Sequence, residues 1–340
     1  VTGSILQGRS IKQISDDLQS RIVTMSRVSA IRAARTAVTA AQNAGRMDSY
    51  AAADEIWGIK SKKKWVATKD LRTRHDHGMA DNQIVAYDQP FDVGGYKMMF
   101  PGDGSLGAPG HELYNCRCTV VNATDDDLEA ERHMMRVKNP ETGEYELVKK
   151  KSYKEWYDEK KAQYPPEKWA GMVKAGKNYQ ADQRKYAEYR EILGKKAPKT
   201  FAKFQDLKYN DANGWAYLKG YKQYKVRVPE AKESDYTLYR KVKETGVTGS
   251  VRIPPLAMDT SALSFRDSHA GKHGCTVEDA VQYVNDAKCS IKRRRWDGYS
   301  VNYYSLSGAT YIDAETHEIK TAFSESDFDP MTKAIMEAFK

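Results

Sequence analysis

Two groups of residues carry side chains whose types and spacing could do chemistry. The first lies between positions 65 and 119 and holds Asp70, Arg72, Arg74, His75, His77, His111, Asn115, Cys116, Arg117 and Cys118. Asp70, His75, His77, His111, Cys116 and Cys118 form a conceivable metal set, since zinc prefers Cys and His in tetrahedral geometry. The C-x-C spacing lacks the two-residue gap of a zinc finger. Arg72, Arg74 and Arg117 offer forked donors that can hold Asp70 and backbone carbonyls with no ion. The favoured reading is a structural hydrogen-bonded network of Asp70, Arg72, Arg74, His75, Asn115, Cys116, Arg117 and Cys118. Free thiols buried as small apolar groups fit it, and neither metal nor cofactor is expected.

The second group lies near the C-terminus: His269, Lys272 and His273, then Arg293, Arg294 and Arg295, Tyr303-Tyr304 and Thr321. Cleavage of RNA without a metal needs these types. One group deprotonates the 2′-hydroxyl, another protonates the leaving oxygen, and cations stabilise the charge gathering on phosphorus. A Thr or Tyr hydroxyl can hold the phosphate. Side chains alternate along a strand, so Arg293 and Arg295 share one face and Arg294 points to the other. The plainer alternative is two histidines capping or solvating a helix, and a threonine chosen for strand propensity. ADP-ribosyl transfer ranks lower, because no paired acidic E-x-E element stands near Ser324-Glu325-Ser326.

These residues need elements to position them. Ser10 can cap a helix carrying Ile11, Ile14, Leu18, Ile22 and Met25 on one stripe. An Ala-rich helix follows over about 28–44, stops near Gly45, and can resume over Tyr50–Trp57. Positions 88–112 are turn-rich, with strands expected at 83–86 and 119–122. An acidic connector begins at Thr124, and Asn139–Gly143 reads as a hairpin turn. Residues 149–195 are Lys- and Tyr-rich helices punctuated by Pro165-Pro166. Gly246, Gly249, Ser250 and Pro254-Pro255 mark an extended linker. Beyond it, Thr276 opens a helix with Asp279 three residues later. Strands are expected at 289–296 and 299–306 around Asp297-Gly298, then at 309–313 and 318–323, with a helix over 331–339. The fold class is multidomain α+β: a helical N-terminal region with a loop-rich small α+β unit, a helical Tyr/Lys-rich middle, and a C-terminal helix plus an antiparallel meander of about four strands. The expected divisions are 1–123, 124–244, a linker at 245–256, and 257–340.

The chain of 340 residues carries a net charge of +9, which favours contact with nucleic acid or another polyanion. Lys60 and Lys62-Lys63-Lys64 form a basic run before Trp65, suited to sequence-independent phosphate contact. The nucleic-acid-binding candidates are Lys62, Lys63, Lys64, Lys272 and Arg293. Four cysteines are too few for a disulfide scaffold and fit a reducing host cytosol. Residues 1–19 lack the apolar stretch of a secretory signal, and no apolar run is long enough to span a membrane.

Trp65, Thr68, Asp70, Arg72-Thr73-Arg74 and His75, then Pro90-Phe91, Phe100-Pro101-Gly102-Asp103, Gly107-Ala108-Pro109 and Asn115-Cys116-Arg117-Cys118-Thr119, together resemble the Mu F-like (head-morphogenesis) minor head proteins of tailed phages. Arg35-Thr36 and Asn43 resemble the R-T…N signature that precedes this block. The resemblance covers about residues 10–122 and implies a virion protein at the head interior or neck, made in the host cytoplasm. Its implied partners are the portal or other head proteins and packaged DNA. His269–His273, Tyr303-Tyr304-Ser305, Gly308–Tyr311 and Ile319–Phe323 are similar to phage members of the Barnase–EndoU–ColicinE5–RelE nuclease superfamily. That resemblance implies a metal-independent ribonuclease-like toxin in 257–340, with host RNA as substrate and an immunity protein as partner. His269 would be the first acid or base, His273 the second and Thr321 the phosphate-contacting hydroxyl, with Tyr304 and Arg295 in support. The alternative is a purely structural or DNA-binding minor head protein whose C-terminal domain is inactive.

Overall fold

The computed structural model describes residues 2–58, 62–123, 134–138, 144–266, 273–295 and 298–340. The chain is mixed α+β and divides into two compact units, Val1–Gln180 and Ala181–Lys340.

The first unit opens with helices α1 (Thr2–Leu6), α2 (Ile11–Arg21) and α3 (Arg27–Trp57). Ser10 caps α2 as expected. Its hydroxyl accepts the Gln13 N–H, and the Gln13 side chain accepts the Ser10 N–H at 2.8 Å. The expected stop at Gly45 is not there: α3 runs on to a left-handed cap at Gly58, φ 62°. A glycine inside a helix costs only about 1 kcal/mol, and buried Asn43 and Met47 hold the helix on either side of it.

The loop-rich block follows: β1 (Lys62–Val66), α4 (His75–Met79), β2 (Ile84–Ala86), β3 (Phe91–Val93), β4 (Tyr96–Met98), α5 (Gly110–Leu113) and β5 (Thr119–Ala123). β1 lies between β2 and β5, antiparallel to both, and β3 and β4 pair separately. Trp65, fully buried, meets both Phe91 and His77 in T-shaped contacts, with ring centroids 5.4 Å apart in each case. β6 (Met134–Lys138) and β7 (Tyr145–Lys149) pair as a hairpin. The turn read at Asn139–Gly143 and the acidic connector at Thr124–Glu131 lie outside the described residues. Helices α6 (Tyr153–Ala162) and α7 (Pro166–Lys177) complete the unit. The Asp81 carboxylate staples α6 in place, accepting the Ala67 and Tyr153 N–H groups at 2.7 Å each.

Strands this short leave many backbone groups to be satisfied by side chains. Asn43, buried on α3, does much of this. Its amide donates to Pro101 O at 2.8 Å and Cys118 O at 3.2 Å, and its carbonyl accepts the Val120 N–H at 3.0 Å. Two further α3 hydroxyls join it. Thr36 accepts the Asn115 N–H at 3.2 Å, and Thr39 donates to Cys116 O at 3.0 Å. Gly102, φ 93°, lets its turn lie against α3, since a Cβ there would sit 3.2 Å from Ala40 Cα.

Asp70 is the second fastening. Arg117 reaches both of its oxygens, the Nη2–Oδ1 bond measuring 2.7 Å, and Arg72 donates through Nη2 at 2.9 Å. Burial pushes the carboxyl up. The hydrogen bonds and charge of Arg117, followed by Arg72, outweigh that and bring it down to about 2.

The second unit begins with α8 (Tyr179–Leu193), α9 (Phe201–Asn210), α10 (Ala212–Arg227) and α11 (Glu233–Glu244). Their shared core is aromatic: Tyr189, Phe204, Tyr221, Tyr224 and Tyr236 are all buried. Residues 245–256 are not a bare linker. They contain β8 (Ser250–Arg252), which pairs with the next strand, and Val247, Val251 and Ile253 are buried. The Tyr224 hydroxyl donates to Ile253 O and accepts its N–H, both at 2.8 Å.

Next come α12 (Val277–Asn285), β9 (Cys289–Arg295), β10 (Gly298–Tyr304), β11 (Gly308–Asp313), β12 (Ile319–Ser324) and α13 (Pro330–Glu337). Thr276 and Asp279 form the expected capping box of α12. The four-stranded meander is present, and β8 extends it to the order β12-β11-β10-β9-β8. Gly298 pairs with Arg295 and so belongs to β10 rather than to the turn read at Asp297-Gly298; residues 296 and 297 lie outside the described residues. Both sheet faces are covered. Val301, Tyr303, Ile312 and Ile319 pack with Ala280 and Val284 of α12, while Cys289, Ile291 and Tyr304 pack with Val242 of α11 and Ile335 and Met336 of α13.

Replacing Asn43 with Ala leaves the Val120 N–H and the Pro101 and Cys118 carbonyls buried without their partner. Urea denaturation should show a loss of about 2–4 kcal/mol, several lost bonds at about 1 kcal/mol each. A loss below about 0.5 kcal/mol would show that α3 is held otherwise. Asp70 supplies the pH dependence. Its folded pKa is depressed, so its stabilisation is complete above the unfolded value of about 4 and is lost as pH falls through about 2. Asp70→Asn should cost about 1–2 kcal/mol near pH 7, discounted for partial exposure. It should also flatten the fall of the urea midpoint between pH 4 and pH 2.

Candidate functional site

Two places bring chemistry-bearing groups together, one in each unit. In the first unit, α4 carries His77 and the turn before β5 carries Cys116 and Cys118, all three buried. His77 Nδ1 lies 3.5 Å from Cys116 Sγ and 3.4 Å from Cys118 Sγ. Its Nε2 lies 2.9 Å from Oε2 of buried Glu112 on α5. That approach is off the line of a straight hydrogen bond, and neither atom has another partner. The two thiols are shifted in opposite directions. The hydrogen bond from Cys118 pulls Cys116 down, helped by the charges of Arg74 and Arg117, while the same contact and burial push Cys118 up.

Of the residues expected in this network, Asp70, Arg72 and Arg117 form the fork described above. Arg74 donates to Tyr114 O, and Thr36 takes the Asn115 N–H. His75 is exposed, apart from both clusters. His111 is also exposed, with Nε2 3.4 Å from Glu112 Oε1. Sequence reading singled out the two cysteines but missed Glu112. Its signal was an acidic residue within a helical turn four positions before Cys116, a pattern too common to stand out.

Of the basic run before Trp65, Lys60 lies outside the described residues, and the described lysines are drawn into the sheet rather than laid out on a surface. β1 is the central strand of its sheet, and Lys63 is fully buried. Lys63 donates to Met99 O at 2.9 Å and lies 5.3 Å from the Phe91 ring centroid. Burial lowers its ammonium to about 8. Lys64 is buried too, and Lys62 is half-buried.

In the second unit, strand register places Arg293, Ser300 and Asp313 in one row across β9, β10 and β11. Ile291, Asn302, Tyr311 and Thr321 form the neighbouring row, extended to β12. Cys289, Tyr304, Ala309 and Phe323 follow. Rows two residues apart share a face, so Arg293, Tyr304 and Thr321 do lie on the same side of the sheet. Arg293 Nε, Ser300 Oγ and Asn302 Oδ1 are buried there with no hydrogen-bond partner. Asn302 donates to the Tyr304 hydroxyl at 3.3 Å, which donates to the Tyr311 hydroxyl at 3.2 Å. Tyr304 is an interior residue, and burial drives its hydroxyl far up. It can donate a hydrogen bond but cannot serve as a base. Arg293, Tyr311 and Thr321 are half-buried.

His273 stands at the β12 edge of this face. Its ring packs 5.8 Å from Phe323, which in turn packs against Tyr311, and its Nδ1 lies 3.4 Å from Asp327. That carboxylate, missed in the sequence, lies beside the ring and can orient it. His269 and Lys272 lie outside the described residues, as does the Arg295 side chain.

Known proteins resemble parts of this chain. Residues 1–121 match the family model described as phage Mu protein F like protein. The chain is 31% identical over 157 residues to the NAD(+)–arginine ADP-ribosyltransferase EFV of Enterococcus faecalis, an alignment covering 46% of this chain and 30% of that protein. The chain therefore spans less than a third of the length of the relative it matches. No solved structure matches. No helix among the described residues is long and apolar enough to cross a membrane. In its first 121 residues, the chain is similar to the phage Mu protein F like family.

Proposed function

We propose that this is a head-associated protein of a tailed phage or prophage whose C-terminal region, about 257–340, is a metal-independent ribonuclease-like module. The match over residues 1–121 supports the first half of the reading. On this reading the chain belongs to the virion, at the head interior or neck, with portal or other head proteins and packaged DNA as its partners. The observation that carries the second half is the shared sheet face bearing Arg293, Tyr311 and Thr321, with His273 at its edge. His273, held by Asp327, would move the proton together with His269. Arg293 would meet the charge on phosphorus, and Thr321 and Tyr311 would hold a non-bridging oxygen. Host RNA is the substrate class, and an immunity protein is the partner such an activity requires.

A second reading has one observation in its favour. The Enterococcus faecalis relative bears the name of an arginine ADP-ribosyltransferase. On that reading the acidic group would be Glu325, exposed in the turn after β12.

The test uses the purified full-length chain with total RNA in EDTA, and with NAD+ in parallel. RNA cleavage that survives the chelator, falls about 10²–10⁴-fold in His273→Ala and falls in Thr321→Ala is the expected result. NAD+ consumption without RNA cleavage would replace this reading with the second. Neither activity, with incorporation into heads intact, would leave a structural or DNA-binding component.

A further inference from the structure

We propose that His77, Cys116 and Cys118 form a binding site for a soft divalent metal ion of the zinc class, with Glu112 as the carboxylate that orients the imidazole. Among the described residues these three alone have ligand atoms gathered in this way, all within 4.8 Å of one another and all buried.

The geometry favours a shared cation over a hydrogen-bonded cluster. One imidazole lone pair can accept one straight S–H donor. Here two sulfurs approach the same Nδ1 almost equally, at 3.4 and 3.5 Å. A tetrahedral ion about 2.3 Å from sulfur and about 2.0 Å from nitrogen holds such atoms about 3.5 Å apart. The other ring nitrogen faces the Glu112 carboxylate at 2.9 Å. A carboxylate on that side of the ring leaves Nδ1 facing the sulfurs, the usual placement of the support behind a metal-bound histidine. The charges also agree. A buried carboxylate and two buried thiols, all under 5% exposed, gain a compensating centre from a dication. Thiolate and imidazole donors select zinc over magnesium or calcium. Three protein ligands leave one tetrahedral position for water.

The same atoms could be arranged as a nucleophilic thiol, its base and an orienting acid. Burial argues against that, because a reactive cysteine needs access to its substrate. The site would stand beside the Asp70–arginine fork, which holds without an ion. It joins α4, α5 and the turn before β5, segments with little core of their own. Binding exchanges the thiol protons for the ion, which releases them to solvent.

The test is metal analysis of the full-length protein after dialysis against metal-free buffer, followed by cobalt substitution. About one zinc per chain is expected. Cobalt should give a thiolate charge-transfer band and a tetrahedral visible spectrum, with the charge-transfer band reduced in Cys116→Ser and Cys118→Ser. Glu112→Gln should keep the band while weakening metal affinity about 10–100-fold. Should the serine variants fail to fold, zinc titrated into chelator-treated native protein should raise its melting temperature. Absence of bound metal, of a cobalt band and of a zinc-dependent shift would overturn the proposal. So would alkylation of Cys116 and Cys118 at the same rate with and without added zinc.

Discussion

The first unit rests on one constraint: the backbone of a loop-rich segment must find partners that regular structure does not supply. Strands of three to five residues and two single-turn helices satisfy few of their own N–H and C=O groups. The long helix α3 supplies the remainder through Asn43, Thr36 and Thr39, which meet the turn at Pro101 and the stretch Asn115–Val120. Buried polar groups must pair or cost about 1–3 kcal/mol each, so the helix and the turns specify each other. α3 therefore has a reason to continue through Gly45, since its side chains are held to the block along much of its length.

Charge obeys the same logic. A net charge of +9 suggests a polyanion-binding surface, yet many cations act internally. Lys63 is buried beneath Phe91 and Tyr87, Arg117 and Arg72 grip Asp70, and Lys208 meets buried Asp182. A partly buried ion pair is costly to break, because the surviving partner is left uncompensated. The basic balance thus measures structural pairing as well as any outward field.

The second unit places its polar chemistry beside a hydrophobic core. One sheet face carries Tyr304 against α11 and α13 and, two and four residues away on β10, Asn302 and Ser300. Three buried polar atoms without partners in this area stand out against the general rule that interior polar groups are satisfied. They sit on Arg293, Ser300 and Asn302, on the face that also carries the half-buried Thr321.

Much of the architecture was legible in the sequence. Ser10 and Thr276 announced helix starts because capping is a local hydrogen-bond pattern, and the meander was visible because strand alternation and turn residues are local too. The motif Asn115–Thr119 and the signature Thr36 and Asn43 stood out by residue type, but their meaning did not, since the bonds joining them span dozens of residues. Burial of Lys63, the entry of residues 250–252 into the C-terminal sheet, and the partnership of Glu112 with His77 were decided only by tertiary structure. Each depends on which element lies next to which, and a one-dimensional pattern carries no information about a neighbour brought in from elsewhere in the chain. What the sequence determined alone was where elements begin and which residues have reactive types. Which of those residues face one another, and with what access to water, was settled by packing.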